Sequence, residues 1–343
     1  MTEEVFRAKR RQPFLTKKYY NLNSSLLERE LELDARATAE GVLPPTDVSY
    51  SDIPGSAFKG AMKLLRLHYT AGEPIESLKP LLAAAMKWFG EWHVAYGAQI
   101  QHLAKASGEE LRTDGSPVHM EDLFHCQLAM ELVSFGILLG EADAVRRVAA
   151  WLGRYRGTDM LLEALLEQVV ADPRDVEEFF HEEPYGLLLD AVYTAENPEA
   201  ASDFVKHYVE GWYKAFEGVP WHDGHLVVTD EYSNYEGYWA FEAAAICVLY
   251  DIDDSSFRDH LVYPKDLADW ARANNVVDRL APAAGAQALR LRCEGGQPCP
   301  QAGFWSTPAQ ANSRRRFAAN ELMPAVEGSS WGATIWYWDD AQG

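Results

Sequence analysis

Cysteine is scarce: Cys126, Cys247, Cys293 and Cys299 are the only four in 343 residues, too few for a disulfide scaffold at this length. Cys126 and Cys247 fall on apolar helical stretches and read as small core residues. The 293–299 spacing does not suit a zinc knuckle, and its redox state stays open. No run of apolar residues approaches a bilayer span, and MTEEVFRAKRRQPF lacks the apolar stretch of a signal peptide. The expected setting is the cytoplasm, without membrane. No phosphate loop, nucleophile triad or metal box is visible. Asp251, Asp253 and Ser255 alternate as in a calcium loop, but Ser256 stands where glycine is required and Val262 where the bidentate glutamate belongs. The expectation is therefore no metal, no cofactor and no enzyme.

Basic residues are scarce in one place above all. From Leu161 to His260 only 4 Lys and Arg face 23 Asp and Glu, so most of the net charge of -21 lies in one hundred residues. Such a field repels nucleic acid and anionic membranes and attracts basic proteins.

What is abundant is helical periodicity. With 48% hydrophobic residues the chain can bury a large core. Phe58, Met62, Leu65 and Tyr69, then Leu78, Leu82, Met86, Phe89 and Trp92, recur at spacings of three and four. Further helices are expected over Asn23 to Ala39, Glu121 to Leu139, Ala142 to Tyr155, Asp159 to Val170, Asp175 to His181, Tyr185 to Thr194, Glu199 to Phe216 and Lys265 to Ala273. Pro54 and Gly55 are expected to stop regular structure before the first long pair. Phe204, Tyr208, Trp212 and Phe216 form a stripe assigned to the core. Short connections imply a mostly α fold, an irregular bundle of antiparallel helical hairpins. After Ala281 the composition turns to Gly, Pro, Trp and Arg, predicting a small loop-rich segment with a short β element at Trp331 to Trp338, paired with Phe304 to Thr307. The expected divisions are 1–55, basic and aromatic and packed on the chain's own acidic half; 56–172, helical; 173–280, helical and acidic; and 281–343, the tail. Arg314 to Arg316 are expected to make an internal contact.

The stretch from Trp221 to Trp270 sets an acidic aromatic loop, an all-apolar helix and a second acidic loop in succession. Ser233 and Glu236 have capping-box spacing and predict the helix start. Asp230, Glu231 and Glu236 suit the positive end of its dipole, whereas Asp251, Asp253 and Asp254 follow its negative end and work mildly against it. A cap on the next element and a surface for a cation-rich partner are both open readings of the second group.

The succession LVVTDEYSNYEGYWAFEAAAICVLYDIDDSSFRDHLVYPKDLADWAR, with the upstream YTAGEPIESLKPLL, resembles the helical PoNi immunity proteins, over about Lys17 to Ala273. The tail is similar to an appended segment of other bacterial immunity proteins, through Pro300, Gly303, Trp305, Ser313, Arg314, Arg315, Phe317, Met323 and Pro324. The first resemblance implies a bacterial protein that neutralises a PoNe-type DNase toxin of the PD-(D/E)xK superfamily, often delivered by type VI secretion. A DNase presents a basic cleft, which a concentrated acidic face can fill in place of DNA. Charge and loop position select Asp223, Asp230, Glu231, Tyr232, Tyr235, Glu236, Tyr238, Asp251, Asp253 and Asp254 as toxin-binding, with Trp221 as a further apolar anchor. Inhibition away from the nuclease site is the alternative mechanism. The rival functions are a helical adaptor and a carbohydrate-active hydrolase using two of Asp230, Glu231, Glu236 and Glu242.

Overall fold

Polar side chains fix where several of the helices begin. Thr16, Asp122, Asp159 and Asn197 accept from the backbone N–H groups of Tyr19, His125, Leu162 and Ala200 at 3.2, 2.9, 2.8 and 2.9 Å. Each satisfies an amide that the first turn leaves without a partner. The computed structural model describes residues 2–41, 43–44, 47, 49–107, 116–230, 233–281, 292–307, 313–325 and 334–338. They fall into two units, Met1–Ala281 and Pro282–Gly343.

The first unit is helical, as its periodicity predicts. In chain order its helices are α1 (Glu3–Lys9), α2 (Lys17–Glu40), α3 (Asp52–Thr70), α4 (Leu78–Ser107), α5 (Leu123–Leu138), α6 (Ala142–Trp151) and α7 (Met160–Leu166). Then come α8 (Glu182–Tyr193), α9 (Pro198–Ala215), α10 (Phe241–Leu249), α11 (Lys265–Ala273) and α12 (Val276–Leu280). The hairpins α3–α4 and α8–α9 make the most extensive pairings, α2 lies on α3, and α5 is the centre. Every residue of α5 from Cys126 to Leu138 is buried, and so is all of α10, which packs on α5. A helix without a polar face has to be enclosed on all sides, and these two are.

Three expectations change. Pro54 and Gly55 do not stop structure: α3 starts at Asp52 and holds both in its first turn. Proline is tolerated there because its missing N–H would have had no partner. Gly55 also lets α4 approach, since a Cβ would sit 2.8 Å from the Trp92 indole nitrogen. Asp175 to His181 is not helical. Its backbone is drawn instead to the head of α7, where Phe180 N–H donates to Asp159 at 3.1 Å and Met160 N–H to Glu178 O at 2.9 Å. The third change, at the head of α10, belongs to the site below.

The basic amino-terminal segment folds onto its own unit. Arg11 pairs with Asp266 at 2.8 Å, Lys9 with Glu73 at 2.9 Å and Lys18 with Asp230 at 3.6 Å. Buried Gln12 joins both acidic loops: its Nε2 donates to Tyr238 O at 2.6 Å and Leu261 O at 2.8 Å, and its Oε1 accepts from Tyr238 N–H and the Tyr235 hydroxyl. The Phe204 to Phe216 stripe lies in the core, with Tyr208, Trp212 and Phe216 fully enclosed.

The second unit contains β1 (Arg292–Glu294), β2 (Gly303–Ser306), β3 (Arg315–Phe317) and β4 (Ile335–Trp338), an antiparallel sheet in the order β1-β4-β2-β3. The expected pairing of the two tryptophan-bearing strands is β2 with β4, Trp305 opposite Trp338. Cys293, Cys299, Trp305, Phe317, Met323 and Trp336 make its core, with both cysteines as free thiols. Arg314 lies 4.2 Å over the Phe304 ring, and Arg315 lies 4.5 Å over Phe317 and 5.3 Å over Trp336. Two guanidinium groups of the basic triplet are thus spent on the sheet's own rings.

Candidate functional site

Helix α10 carries a loop at each end, and the two are built differently. At the amino end, residues 221–230 and 233–240 are irregular apart from a short 3-10 turn, Gly224–Val227. Its foundation is aromatic. Trp221 stacks on Trp212 with ring centroids 5.1 Å apart and 12° between planes, and Tyr238 packs on Tyr213, Trp221 and Tyr235 at 5.0 to 5.5 Å. Phe14 closes this cluster against His225 at 4.8 Å. The turn is tied down at several points. Tyr213 donates to Asp223 at 2.6 Å, Ser233 Oγ donates to Gly224 O at 3.0 Å, and His225 N–H donates to the Tyr238 hydroxyl at 3.0 Å. Gly224 permits the approach, because a Cβ there would meet the backbone of Asn234 and Tyr235 at 3.1 Å.

The expected capping box does not form. Ser233 Oγ accepts from Tyr235 N–H at 2.8 Å, a local turn, and α10 begins only at Phe241. Gly237 sits at φ +109 with Thr70 where its Cβ would be, which no helix accommodates. Glu236 is drawn inward instead. Its carboxylate meets buried Arg66 at 2.8 Å, and Arg66 also reaches Glu131 at 2.6 Å. Gln127 Nε2 donates to Glu131 at 3.1 Å while its Oε1 accepts from Trp221 Nε1 at 2.8 Å. Burial drives the Glu131 carboxyl above its usual range, against the pull of Arg66. Desolvation lowers the Arg66 pKa, but the two carboxylates outweigh it and leave the guanidinium firmly charged.

The carboxyl end of α10 closes with a left-handed residue. Asp251 adopts φ +53, and Ile252 N–H returns to Cys247 O at 3.0 Å, the Schellman arrangement usually given to glycine. Asp253 is exposed and holds Ser255 through Oγ at 2.6 Å and N–H at 3.1 Å, bonds that lower its pKa. Asp254 is buried and receives Arg272 at 2.6 Å, the Tyr263 hydroxyl at 2.8 Å and Arg258 at 3.3 Å. Arg258 is also forked onto Asp269 at 2.6 and 2.7 Å.

The ten selected residues therefore divide. Asp223, Asp230, Asp251 and Asp253 are exposed, whereas Tyr235, Glu236, Tyr238 and Asp254 are buried and bonded within the fold. Glu231 and Tyr232 lie outside the described residues. Trp221 is buried too. Of the carboxylates considered for hydrolysis, Glu236 is held by Arg66, and Glu242 is fully enclosed with its Oε1 accepting from Tyr208 and, at 2.9 Å, Trp212 Nε1. Burial raises the Glu242 carboxyl to about 7. A cavity of about 730 Å³ lies away from all of them, between α2, α4 and α6, with Met86, Val94 and Trp151 among its walls. Among the described residues no three His, Cys, Asp or Glu side chains converge as metal ligands, and no helix is long and apolar enough to cross a membrane.

One feature of the amino-end turn is absent from the selection made on charge. Leu226 is 69% exposed and Val227 51%, within a few residues of Asp223 and Asp230. The sequence signal is LVV inside an acidic loop with no helical or strand period to bury it.

Residues 157–267 match the family model described as PoNe immunity proteins (PoNi), C-terminal. Among solved structures the chain is similar to protein PA2201 from Pseudomonas aeruginosa, at 20% identity and a TM-score of 0.62, covering 80% of this chain and 95% of that one. That likeness is one of fold. No curated protein matches the chain. The matched segment contains α7 to α10, both acidic loops and the start of α11, so over these residues the chain is similar to PoNi immunity proteins.

Proposed function

We propose that this protein binds a PoNe-type nuclease toxin in the cytoplasm of the producing cell and neutralises it by setting an acidic face in the nuclease's basic DNA-binding cleft. The observation that carries the reading is a coincidence of place: the PoNi match spans 157–267, and the acidic excess of 23 to 4 occupies 161–260. Part of that excess is internal, because Glu163, Glu236, Glu242 and Asp254 are buried. The carboxylates left to meet a partner include Asp223, Asp230, Asp251 and Asp253 at the ends of α10 and Glu199, Asp203, Glu210 and Glu217 on and just after α9. Exposed charges of this kind steer encounter more than they hold a complex, so raising salt slows association and leaves dissociation nearly unchanged. The test is co-expression with a PoNe-type nuclease, scoring survival, co-elution and DNA cleavage. Survival with a stable complex and lost cleavage is the expected outcome, and toxicity without complex formation overturns the reading.

A further inference from the structure

Water-exposed aliphatic side chains are ordinary when scattered, but Leu226 and Val227 are neighbours and both project from the fold. They are also pinned. The turn that bears them starts at Asp223, whose backbone takes the left-handed φ of +60, and Asp223 N–H donates to the Tyr213 hydroxyl at 3.2 Å while its carboxylate accepts from the same group. His222 ring nitrogen lies 3.1 Å from Tyr213 O, and the His225 ring is 2.7 Å from the Tyr238 hydroxyl. Beneath them lie the rings of Phe14, Tyr213, Trp221 and Tyr238. This foundation fixes the backbone of Leu226 and Val227 without covering their side chains. A fixed apolar projection loses little conformational freedom on binding, and that is a property of interface anchors.

The surroundings specify the partner. Asp223 and Asp230 flank the pair in sequence and are exposed, Asp230 making two long contacts, with exposed Lys18 at 3.6 Å and with the Thr16 hydroxyl at 3.5 Å. A surface complementary to this one has an apolar recess rimmed by lysine or arginine. From this we infer that Leu226 and Val227 are the apolar anchor of the nuclease-binding surface, entering a recess on the toxin whose basic rim meets Asp223 and Asp230. The inference rests on the immunity reading above and adds to it the residues that hold the complex, as distinct from those that speed its formation.

The test uses the full chain and a PoNe-type nuclease inactivated at its catalytic site, with rates measured by biolayer interferometry. Leu226→Ser with Val227→Ser is expected to weaken binding about 30-fold or more, nearly all in faster dissociation. Asp223→Asn with Asp230→Asn is expected to slow association several-fold at low salt and to lose that effect at high salt. Both variants change exposed side chains, and an unfolding midpoint matching the wild type establishes that the fold is intact. Equal dissociation rates for the wild type and the Leu226/Val227 variant would overturn the anchor and leave the immunity reading standing. Failure of the wild-type protein to bind overturns the immunity reading and the anchor together.

Discussion

The two ends of α10 look alike in sequence, each acidic and aromatic, yet they handle carboxylates in opposite ways. At the amino end Glu236 is taken into the core by Arg66, and the loop that remains lifts an apolar pair flanked by exposed carboxylates. At the carboxyl end Asp254 is buried among Arg258, Arg272 and Tyr263, and the segment becomes a staple between α10 and α11. Acidic composition therefore says little by itself about contact with a partner. What separates the roles is whether each carboxylate is buried with its cation or left at the surface.

The comparison can be broken most severely at Glu236. Replacing it with alanine leaves buried Arg66 with one of its two carboxylates, and loss of about 3 kcal/mol in chemical denaturation is expected. Asp254→Ala is the equivalent cut at the other end. Arg258 and Arg272 are each about a third exposed and can turn to water, so about 2 kcal/mol is expected there. If the Asp254 change costs more, the carboxyl end is the stronger staple and the ranking is reversed.

Between the loops lies Glu242, which belongs to neither. Its carboxyl is raised by burial to about 7, above the 4.5 of an ordinary glutamate, so the folded chain keeps a proton that the unfolded chain gives up. The stability this contributes is complete below about 4.5 and is lost as pH rises through about 7. Glu242→Gln keeps an acceptor for Tyr208 and Trp212 and should flatten that fall, which denaturation midpoints at pH 5 and pH 8 measure. The smallest effect is expected at Asp251. Glycine suits its left-handed backbone better, and Asp251→Gly should stabilise by about 0.5 to 1 kcal/mol in thermal unfolding.

Most helices were legible because burial at spacings of three and four is a local property. The Phe204 to Phe216 stripe and the β2–β4 pairing follow from their own residues. The failures have distant causes. Ser233 and Glu236 satisfy a helix-start pattern, but the group that claims Glu236 is Arg66, 170 residues away, and Thr70, 166 residues away, accepts Trp239 and donates to Glu236 O. Asp175 to His181 has helical composition, yet Asp159 takes its backbone. The acidic excess was plain in the sequence. Which of its carboxylates were free was not, because the cations that neutralise them come from separate elements.

Gln12 has a bearing on the order in which the protein becomes finished. It is made early in synthesis, but its bonds are to Tyr238 and Leu261, 226 and 249 residues later. A growing chain exposes this segment long before its partners leave the ribosome, and closure over so long a separation is slow. Until then both loops of α10 lack this shared brace. The surface proposed to meet the toxin is therefore complete only once a contact spanning 226 residues has closed, and a newly made copy is expected to protect only after that.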